Sequence, residues 1–319
     1  MQGIYSRLCG CAVLIGLMPA APAFAQAQIQ NASGQNVVPV YEGWERNKDG
    51  SFNMVFGYMN RNYEEQMDIP VGASNIISPG GPDQGQPTHF YRRRQQFVFK
   101  IKVPKDWGKQ DLVWTVTSRG KTEKAFGTLE PIWEIGNLVY QENRGGPGVL
   151  SWPEEPNEAP SAEMVGSSQR TITLPETLTL TIQVSDDGHP KPRPRRSSSP
   201  PVIRDSDGGV VSAGGASEAM PVKESPLSQA VVKLDPGVRL GVNWVLYRGP
   251  APVKFDPMRV PVVKVPPPGT EAKVEPLEGK ATTTVTFSQP GNYRLRAYAD
   301  DGVLTTPIDV NVTVLAPAK

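Results

Sequence analysis

Apolar and polar residues alternate with a period of two along most recognisable segments of this 319-residue chain. In the segment 177–184, TLTLTIQV, one face carries leucine, isoleucine and valine, and the other carries threonine and glutamine. The segments 96–103, which places Phe97 and Phe99 on one face, and 308–314 repeat the pattern. Because side chains of a strand point alternately to opposite faces, this period predicts strands with one buried face. The sequence therefore predicts an all-β fold built of β-sandwiches.

Two immunoglobulin-like sandwich domains are predicted from the chain length and from the positions where the strand pattern stops. Residues 37–142 form the first and residues 168–316 the second, and the stretch 143–167 between them has the composition of a linker. Within the second domain, a segment at about 189–233 contains Pro-Arg-Pro-Arg-Arg and a serine run. It is predicted to be a disordered insertion, because it cannot bury enough apolar surface to offset its chain entropy.

The first 25 residues have the pattern of a signal peptide. Arg7 supplies the positive start, residues 11–18 are apolar, and the segment ends in Ala-Phe-Ala, a small-x-small cleavage pattern. The alternative is a membrane anchor, but the apolar run is too short to span about 30 Å of hydrocarbon. We therefore expect an exported protein, periplasmic or extracellular, that has no transmembrane segment after cleavage and starts with a polar leader, 26–36.

Both cysteines of the chain, Cys9 and Cys11, lie within this segment. The mature chain would then have no disulfide, no thiolate metal site and no cysteine nucleophile, which suits a bacterial periplasm or exterior. Loss of Arg7 would also change the formal net charge from +1 to zero. Such a balance predicts neither a nucleic acid nor an acidic membrane as partner, and no motif predicts a cofactor.

Four stretches of the second domain carry a family resemblance: TLPETLTLTIQVSDDG, VNWVLYRGPAPVKF, TTTVTFSQPGNYRLRAYADDG and IDVNVTV. In this order they resemble the polycystic-kidney-disease-type (PKD-type) immunoglobulin-like domain of secreted bacterial proteins. The resemblance implies an immunoglobulin-like sandwich that serves as a spacer, an adhesive or a binding module. The chain departs from the family at the insertion, where the family has only a few residues.

The first domain resembles a second recurring module of secreted bacterial proteins, a β-sandwich without a characterised activity. The resemblance is carried by Phe56-Gly57-Tyr58, Asn60, Asn62, IPVG at 69–72, Asn75, Pro79-Gly80, GQPT at 85–88, Phe90 and Trp114-Thr115. It implies a fold and no catalytic residue.

Two Asp-Asp-Gly sequences end strands of the second domain and contain Asp186, Asp187, Asp300 and Asp301. A turn accounts for them, because aspartate caps its own backbone and glycine takes positive φ. A calcium site is an alternative, although calcium takes six to eight oxygen ligands. A pair of catalytic carboxylates, which needs a cleft and a fixed separation, is a further alternative.

Candidate binding residues border turns and loops of the first domain, where an exposed aromatic ring could stack on a sugar or capture a partner segment. The loop 74–91 is the first candidate surface. The candidates are Trp44, Tyr91, Trp107, His89 and Asp83. His89 could act in a nucleophile–histidine–acid arrangement only if the fold brought a serine and a carboxylate to it, and no nucleophile motif is present.

These patterns together predict an exported, non-catalytic binding or scaffolding protein of the bacterial envelope or exterior. Its partner would be an envelope protein or a glycan, recognised by loops of the sandwiches. A passive spacer without a ligand is one alternative. A carbohydrate-active enzyme is another, which would use two carboxylates among Glu42, Glu45, Glu64 and Glu65.

Overall fold

The computed structural model describes residues 30–144, 157–191 and 230–317, apart from 236 and 267–274, and the backbone of two short strands within 203–211. The described residues from Asn31 onward belong to one compact unit. The predicted signal peptide, part of the predicted linker and most of the predicted insertion lie outside the described residues.

Two three-stranded antiparallel sheets, with the strand orders β1-β2-β6 and β4-β7-β8, face each other in the first sandwich, and β3 pairs with β5. The strands are β1 Val37–Arg46, β2 Phe52–Asn60, β3 Met67–Asp68, β4 Asn75–Ser78, β5 His89–Phe90, β6 Arg93–Val103, β7 Leu112–Ser118 and β8 Lys121–Gly127. Phe56, Phe99 and Trp114 occupy the centre of the core, with ring centroids 4.9 to 6.1 Å apart.

A bulge in β6 separates Phe97 from Phe99, contrary to the sequence prediction that they share a face. Residues 96–98 lie opposite the single residue Gly57 of β2, so the alternation of β6 changes phase there. Phe97 has a φ of +52° and packs its ring against that of Tyr140, with centroids 4.4 Å apart. The bulge thus moves Phe97 out of the core.

The second sandwich joins a four-stranded sheet, β9-β11-β17-β15, to a five-stranded sheet, β10-β19-β18-β14-β16. All neighbours are antiparallel except β10 and β19. The strands are β9 Ser161–Met164, β10 Gln169–Thr173, β11 Leu178–Asp186, β12 Ile203–Arg204, β13 Val210–Val211, β14 Val238–Arg248, β15 Val253–Asp256, β16 Arg259–Lys264, β17 Leu277–Phe287, β18 Gly291–Asp300 and β19 Thr305–Leu315. Among the described strands, the short β12 and β13 pair with each other and with no other strand.

The second sandwich has the strand order of an immunoglobulin-like domain. The order β9-β11-β17-β15 corresponds to A-B-E-D, and β14-β18-β19 corresponds to C-F-G. Trp244 on β14 is fully buried and takes the place of the central tryptophan of such a sandwich. Near the start of β18, the Tyr293 hydroxyl donates to the Gln289 carbonyl oxygen at 2.8 Å, which is a tyrosine corner. The all-β, immunoglobulin-like prediction is confirmed.

Segments at both borders of the first sandwich are more ordered than their composition indicates. Residues 31–36, predicted as a leader, pack on the turn after β2, where the Tyr63 amide donates to the Asn31 carbonyl at 3.0 Å. After β8 come a 3-10 helix, Pro131–Trp133, and a seven-residue α-helix, Asn137–Asn143, too short to show a helical period. No helix among the described residues is long and apolar enough to cross a membrane.

Strand β9 falls inside the range predicted as a linker. Ser161–Met164 pairs with β11, and the partly buried Ala162 and Met164 pack against the core of the second sandwich. The apolar positions are only two and are surrounded by proline, glutamate and serine, so the strand pattern is not visible in the sequence.

Candidate functional site

The most specific feature of the described residues is the contact between the two sandwiches, and it centres on Tyr247. The register of β14 shifts between Leu246, which pairs with Leu295, and Arg248, which pairs with Arg294. Tyr247 is therefore a bulged residue. Leu246 points into its own sandwich, whereas the Tyr247 side chain, 2% exposed, belongs to the hydrophobic core of the first sandwich.

The Tyr247 side chain and two backbone groups at the bulge form hydrogen bonds to the first sandwich. The Tyr247 hydroxyl donates to the Gly85 carbonyl at 2.5 Å, and the Tyr247 carbonyl accepts from the Thr88 amide at 3.2 Å. The Leu246 amide donates to the Tyr91 hydroxyl at 2.8 Å. Burial raises the pKa of both tyrosines, so both hydroxyls stay protonated. A bulge leaves backbone groups without partners in its own sheet, and here partners come from the other sandwich.

Arg296 on β18 is the second anchor of this interface. Its guanidinium carbon lies 3.7 Å from the centroid of the Tyr247 ring, a close cation–π contact. The same guanidinium makes two hydrogen bonds to Asp309, at 2.6 and 2.9 Å, and one to the Val98 carbonyl at 2.9 Å. The planar arginine fork thus satisfies a carboxylate of its own sandwich and a carbonyl of the other.

The bulge in β6 presents the Val98 carbonyl to Arg296. Glu42 stabilises the bulge, because its carboxylate accepts hydrogen bonds from the Phe97 amide at 3.4 Å and from Arg94 at 2.7 Å. Burial raises the pKa of Glu42, an effect that Arg94 opposes. Gly57 leaves the space that the Glu42 carboxylate occupies, since a Cβ at residue 57 would collide with it.

The loop 79–88, here called the docking loop, forms the first sandwich's side of the interface. Two fully buried amides hold it in place. The Asn75 side chain donates to the carbonyls of Ile69 and Pro87, at 3.0 and 2.8 Å, and accepts from the Trp114 indole at 2.9 Å. The Gln86 side chain donates across the loop to the Pro82 carbonyl at 2.7 Å. The loop is therefore fixed by buried hydrogen bonds although its sequence is rich in proline and glycine.

Arg248 forms an ion pair with Asp83 at the edge of the interface. Its guanidinium makes two hydrogen bonds of 2.8 Å with the carboxylate, and its Nε donates to the Gln86 carbonyl at 2.8 Å. Hydrogen bonds from Arg248 lower the pKa of Asp83 to about 2. The carboxylate is about half exposed, so solvent screens this pair.

A double-mutant cycle with Asp83→Ala and Arg248→Ala should give a coupling energy of about 0.5–1 kcal/mol at pH 7, as for other exposed pairs. Because the folded-state pKa of Asp83 lies below the unfolded value, this stabilisation is present above about pH 4 and is lost only as the pH falls through about 2. Urea unfolding at pH 7 and pH 4 tests this, and a coupling of zero at pH 7 would contradict it.

Of the predicted binding residues, Asp83 and Tyr91 are engaged with the second sandwich. Trp44 is only 3% exposed, and its indole donates to the Glu130 carbonyl at 2.9 Å, so it is part of the core. Trp107 is half-buried against the same core and donates to the Gln110 carbonyl at 2.6 Å. The prediction of a free surface is therefore wrong for Trp44, while Trp107 is partly exposed and stays a candidate. Trp133, which was not selected, is 44% exposed.

His89 is buried, and both of its ring nitrogens have partners. Nδ1 lies 2.7 Å from the Asp68 carboxylate, and Nε2 lies 2.8 Å from the Gln66 side-chain oxygen. Neither partner is a hydroxyl, so the described contacts of His89 do not contain a nucleophile. The ring also packs edge-on against Tyr91, with centroids 4.7 Å apart, which ties it to the edge of the interface.

Three of the four candidate catalytic carboxylates of the first sandwich are each paired with a cation. Glu42 pairs with Arg94, Glu45 with Lys100 at 2.8 Å, and Glu65 with Arg119. Glu64 is exposed. Glu45 also accepts from the Tyr140 hydroxyl at 2.7 Å, and the charge of Glu42 acts on the same hydroxyl. Glycoside hydrolysis requires two carboxylates at a fixed separation across a cleft.

The two Asp-Asp-Gly sequences form turns, and the turns lie at one end of the second sandwich. Gly188 and Gly302 have φ values of +87° and +100°. Their amides donate to Asp186 at 2.9 Å and to Asp300 at 2.8 Å. Asp300 is fully buried and binds Arg144, which follows the α-helix, at 2.7 Å. This ion pair is a further link between the end of the first domain and the second sandwich.

Large aromatic and arginine side chains at outward positions of β14 and β18 could have indicated the interface from the sequence. Val242, Trp244 and Leu246 are inward positions of β14, so Tyr247 should face solvent, where a large aromatic ring is unexpected. On β18 the outward positions Arg296 and Tyr298 alternate with buried Leu295 and Ala297. Aromatic rings and arginine on an outward face are typical of an interface.

No protein-family model and no curated protein matches the chain. Solved structures that align with it include domains 4 and 5 of the S-layer protein SbsC (10% identity, 88% of this chain, 98% of that chain, TM-score 0.22). They also include the fibronectin(III)-like modules of CbhA from Clostridium thermocellum, with 12% identity over 88% of this chain and 95% of that chain and a TM-score of 0.19. A chimeric titin Z1Z2 tandem aligns with 10% identity over 88% of this chain and 100% of that chain and a TM-score of 0.20. At these TM-scores the alignments give no basis for a function, and the fold assignment rests on the strand order.

Proposed function

We propose that this chain is an exported, non-catalytic scaffolding protein of the bacterial envelope or exterior, in which two sandwiches act as one rigid unit. The observation that carries the proposal is the burial of Tyr247, a residue of the second sandwich, in the core of the first. A flexible tandem would expose this ring in its open states, which is unfavourable for a large aromatic side chain.

The contacts favour a scaffold over recognition by the loop 74–91. Asp83, Gly85, Gln86 and Thr88 of this segment bind the second sandwich and are not free for an external ligand. Such an interface fixes the distance and orientation between the outer ends of the two sandwiches. The export pattern of residues 1–25 and the PKD-type resemblance of the second sandwich, with Trp244 and Tyr293 at its characteristic positions, support an envelope role.

A pull-down from a bacterial envelope extract tests the proposal. The bait is the chain from residue 26, immobilised at its C-terminus, at a temperature where circular dichroism shows the Tyr247→Ala variant to be folded. We expect the wild type to retain an envelope protein or glycan and Tyr247→Ala to retain less, because the relative orientation of the sandwiches is lost. Tyr247→Phe, which keeps the buried ring, is the matched control and should behave like the wild type.

Two results would contradict the scaffold. One is equal capture by the wild type and by Tyr247→Ala, which would show that a single sandwich suffices. The other is hydrolysis of a glycan in a panel of envelope polysaccharides by the wild type, with loss of the activity on replacement of Glu42 or Glu45 by glutamine. The second result would support the carbohydrate-active alternative.

A further inference from the structure

Three exposed apolar side chains lie in one short stretch at the end of β8. Phe126 is 54% exposed, Ile132 89% and Trp133 44%; the last two belong to the 3-10 helix and are here called the tip. In the part of the chain that the structure describes, the other exposed large apolar side chains are Val165 and Leu315, both in the second sandwich. Single apolar side chains on a surface are common, whereas a group of them marks an interaction site.

The backbone after β8 is held in place by two buried aromatic residues of β1. The Tyr41 hydroxyl donates to the Thr128 carbonyl at 2.6 Å, and the Trp44 indole donates to the Glu130 carbonyl at 2.9 Å. The ring of Trp133 also packs against that of Tyr41, with centroids 5.6 Å apart. The tip is therefore presented in one conformation, and a partner that binds it loses little binding energy to ordering.

Phe126 lies on the outward face of the sheet β4-β7-β8, because its neighbours Ala125 and Gly127 are buried. Val113 on β7 is its cross-strand partner and is partly buried. Side chains of directly paired residues on one face lie about 5 Å apart, so the two form one apolar surface, here called the strand patch. The same alternation places Lys124 beside the strand patch, because it precedes Phe126 by two residues and is exposed.

The tip and the strand patch are flanked by charges of opposite sign. Lys124 is exposed beside the strand patch, and Glu130 is exposed two residues before Ile132. Within the described ranges, the side chains of Lys124 and Glu130 make no hydrogen bond and no ion pair. Glu134, on the other side of the tip, lies 3.7 Å from Arg46. The surface thus combines an apolar group beside an unpaired anion with an apolar group beside an unpaired cation.

A surface with these two halves is complementary to itself. Apolar side chains alone would fit a lipid surface or a sugar ring, and a single sign of charge would favour a partner of the opposite sign. Here both signs are present, and both halves use side chains of the ten residues 124–133. A twofold axis between the halves brings each half of one copy onto the other half of the second copy, which is the isologous arrangement of homodimers.

We propose that the chain forms a weak twofold dimer in which the tip of each copy packs on the strand patch of the other. Glu130 of one copy then pairs with Lys124 of the partner subunit. Because few side chains take part, we expect a dissociation constant on the order of 100 µM, as for small transient interfaces. The dimer uses no residue of the contact between the two sandwiches, so the inference does not depend on the scaffold role proposed above.

Sedimentation equilibrium of the chain from residue 26, at low salt, tests the proposal. The weight-average mass should stay near the monomer value at about 5 µM and reach about 1.7 times that value at about 500 µM. Phe126→Ser and Ile132→Ser should keep the monomer mass throughout. Leu315→Ser is the matched control, because it removes a similarly exposed apolar side chain, 46% exposed, from the second sandwich, and it should dimerise like the wild type. Circular dichroism checks that each variant is folded.

Exchange of the two charges tests how the copies are arranged. Lys124→Glu and Glu130→Lys should each raise the dissociation constant by at least about threefold, because each places like charges opposite one another. The double variant restores opposite charges and should dimerise nearly as well as the wild type. Failure of the double variant to recover would overturn the pairing of the tip with the strand patch.

A monomer mass for the wild type up to the highest concentration would overturn the dimer, and so would equal loss of dimer in Leu315→Ser and Ile132→Ser. Vesicles of phosphatidylethanolamine and an insoluble envelope polysaccharide serve as probes for the other possible occupants. If the wild type stayed monomeric and co-sedimented with either probe, and Ile132→Ser did not, the surface would belong to that ligand and not to a second copy.

Discussion

Replacing Tyr247 with alanine should lower the free energy of unfolding by about 3–5 kcal/mol, the range measured for large-to-small substitutions of buried aromatic residues. The ring is 2% exposed and lies in the core of the neighbouring sandwich, so its removal leaves a cavity there. The guanidinium of Arg296 also loses the aromatic face 3.7 Å from it. We expect the variant to unfold in two calorimetric transitions, one for each sandwich, because the main contact that couples them is lost.

Tyr247→Phe separates the ring from the hydroxyl. This variant keeps the packing and the cation–π contact and loses the hydrogen bond to the Gly85 carbonyl, so it should cost about 1 kcal/mol and retain a single transition. Guanidinium unfolding supplies the free energies and differential scanning calorimetry the number of transitions. If Tyr247→Ala were no less stable than Tyr247→Phe, the ring would not couple the sandwiches.

Replacing Asn75 with alanine should cost at least about 3 kcal/mol, because it leaves three buried groups without partners. These are the carbonyls of Ile69 and Pro87 and the indole of Trp114. Asn75 is fully buried and lies at the base of the docking loop, so the loop should also lose its fixed position. Hydrogen exchange should therefore show faster exchange at the Leu246 amide, which is 171 residues away in sequence but bound to Tyr91.

Gln84→Ala provides the matched control within the same loop. Its side-chain amide also donates to three carbonyls, those of Ile77, Pro79 and Gly81, but on the more exposed side of the loop. Water can replace these bonds, so the cost should stay within about 1 kcal/mol and the exchange of Leu246 should not change. Equal effects of the two substitutions would show that burial of the Asn75 hydrogen bonds is not what fixes the loop.

Twofold alternation predicts the second sandwich well because its strands are long and each has one buried face. Trp244 and Leu246 are buried as their phase predicts, and the tyrosine corner at Tyr293 follows a Pro-Gly pair that marks the turn. The prediction fails at Phe97 because a bulge changes the phase of a strand without changing its composition. A pattern of alternation cannot show where extra residues leave the sheet.

The interface was missed for a related reason. Tyr247 also lies at a bulge, and its partners Gly85 and Thr88 are about 160 residues away, so no local pattern links them. The loop 74–91 was selected as a recognition surface because it is long and rich in glycine and proline. That selection identified a segment that binds a partner surface, but the surface belongs to the same chain.

The Asp-Asp-Gly sequences show that a turn can be predicted from the sequence, whereas the partners of its carboxylates cannot. Both turns are predicted from Asp capping and glycine, and both are present. The partners that these carboxylates bind, among them Arg144, Asn243 and Glu158, come from distant segments and could not be predicted from the turns themselves. The hydrogen bond from Asn157 to Asp301 could not be predicted either, because the two residues are 144 apart and Asn157 lies in a stretch with linker composition.

The distance distribution between spin labels on the two sandwiches tests the central claim most directly. The chain from residue 26 has no cysteine, so labels at Lys121→Cys on β8 and Lys280→Cys on β17, both exposed positions, would be the only ones. Double electron–electron resonance should give one narrow distribution for the wild-type background and a broad one for Tyr247→Ala. A broad distribution in the wild-type background would contradict the claim that the two sandwiches form one rigid unit.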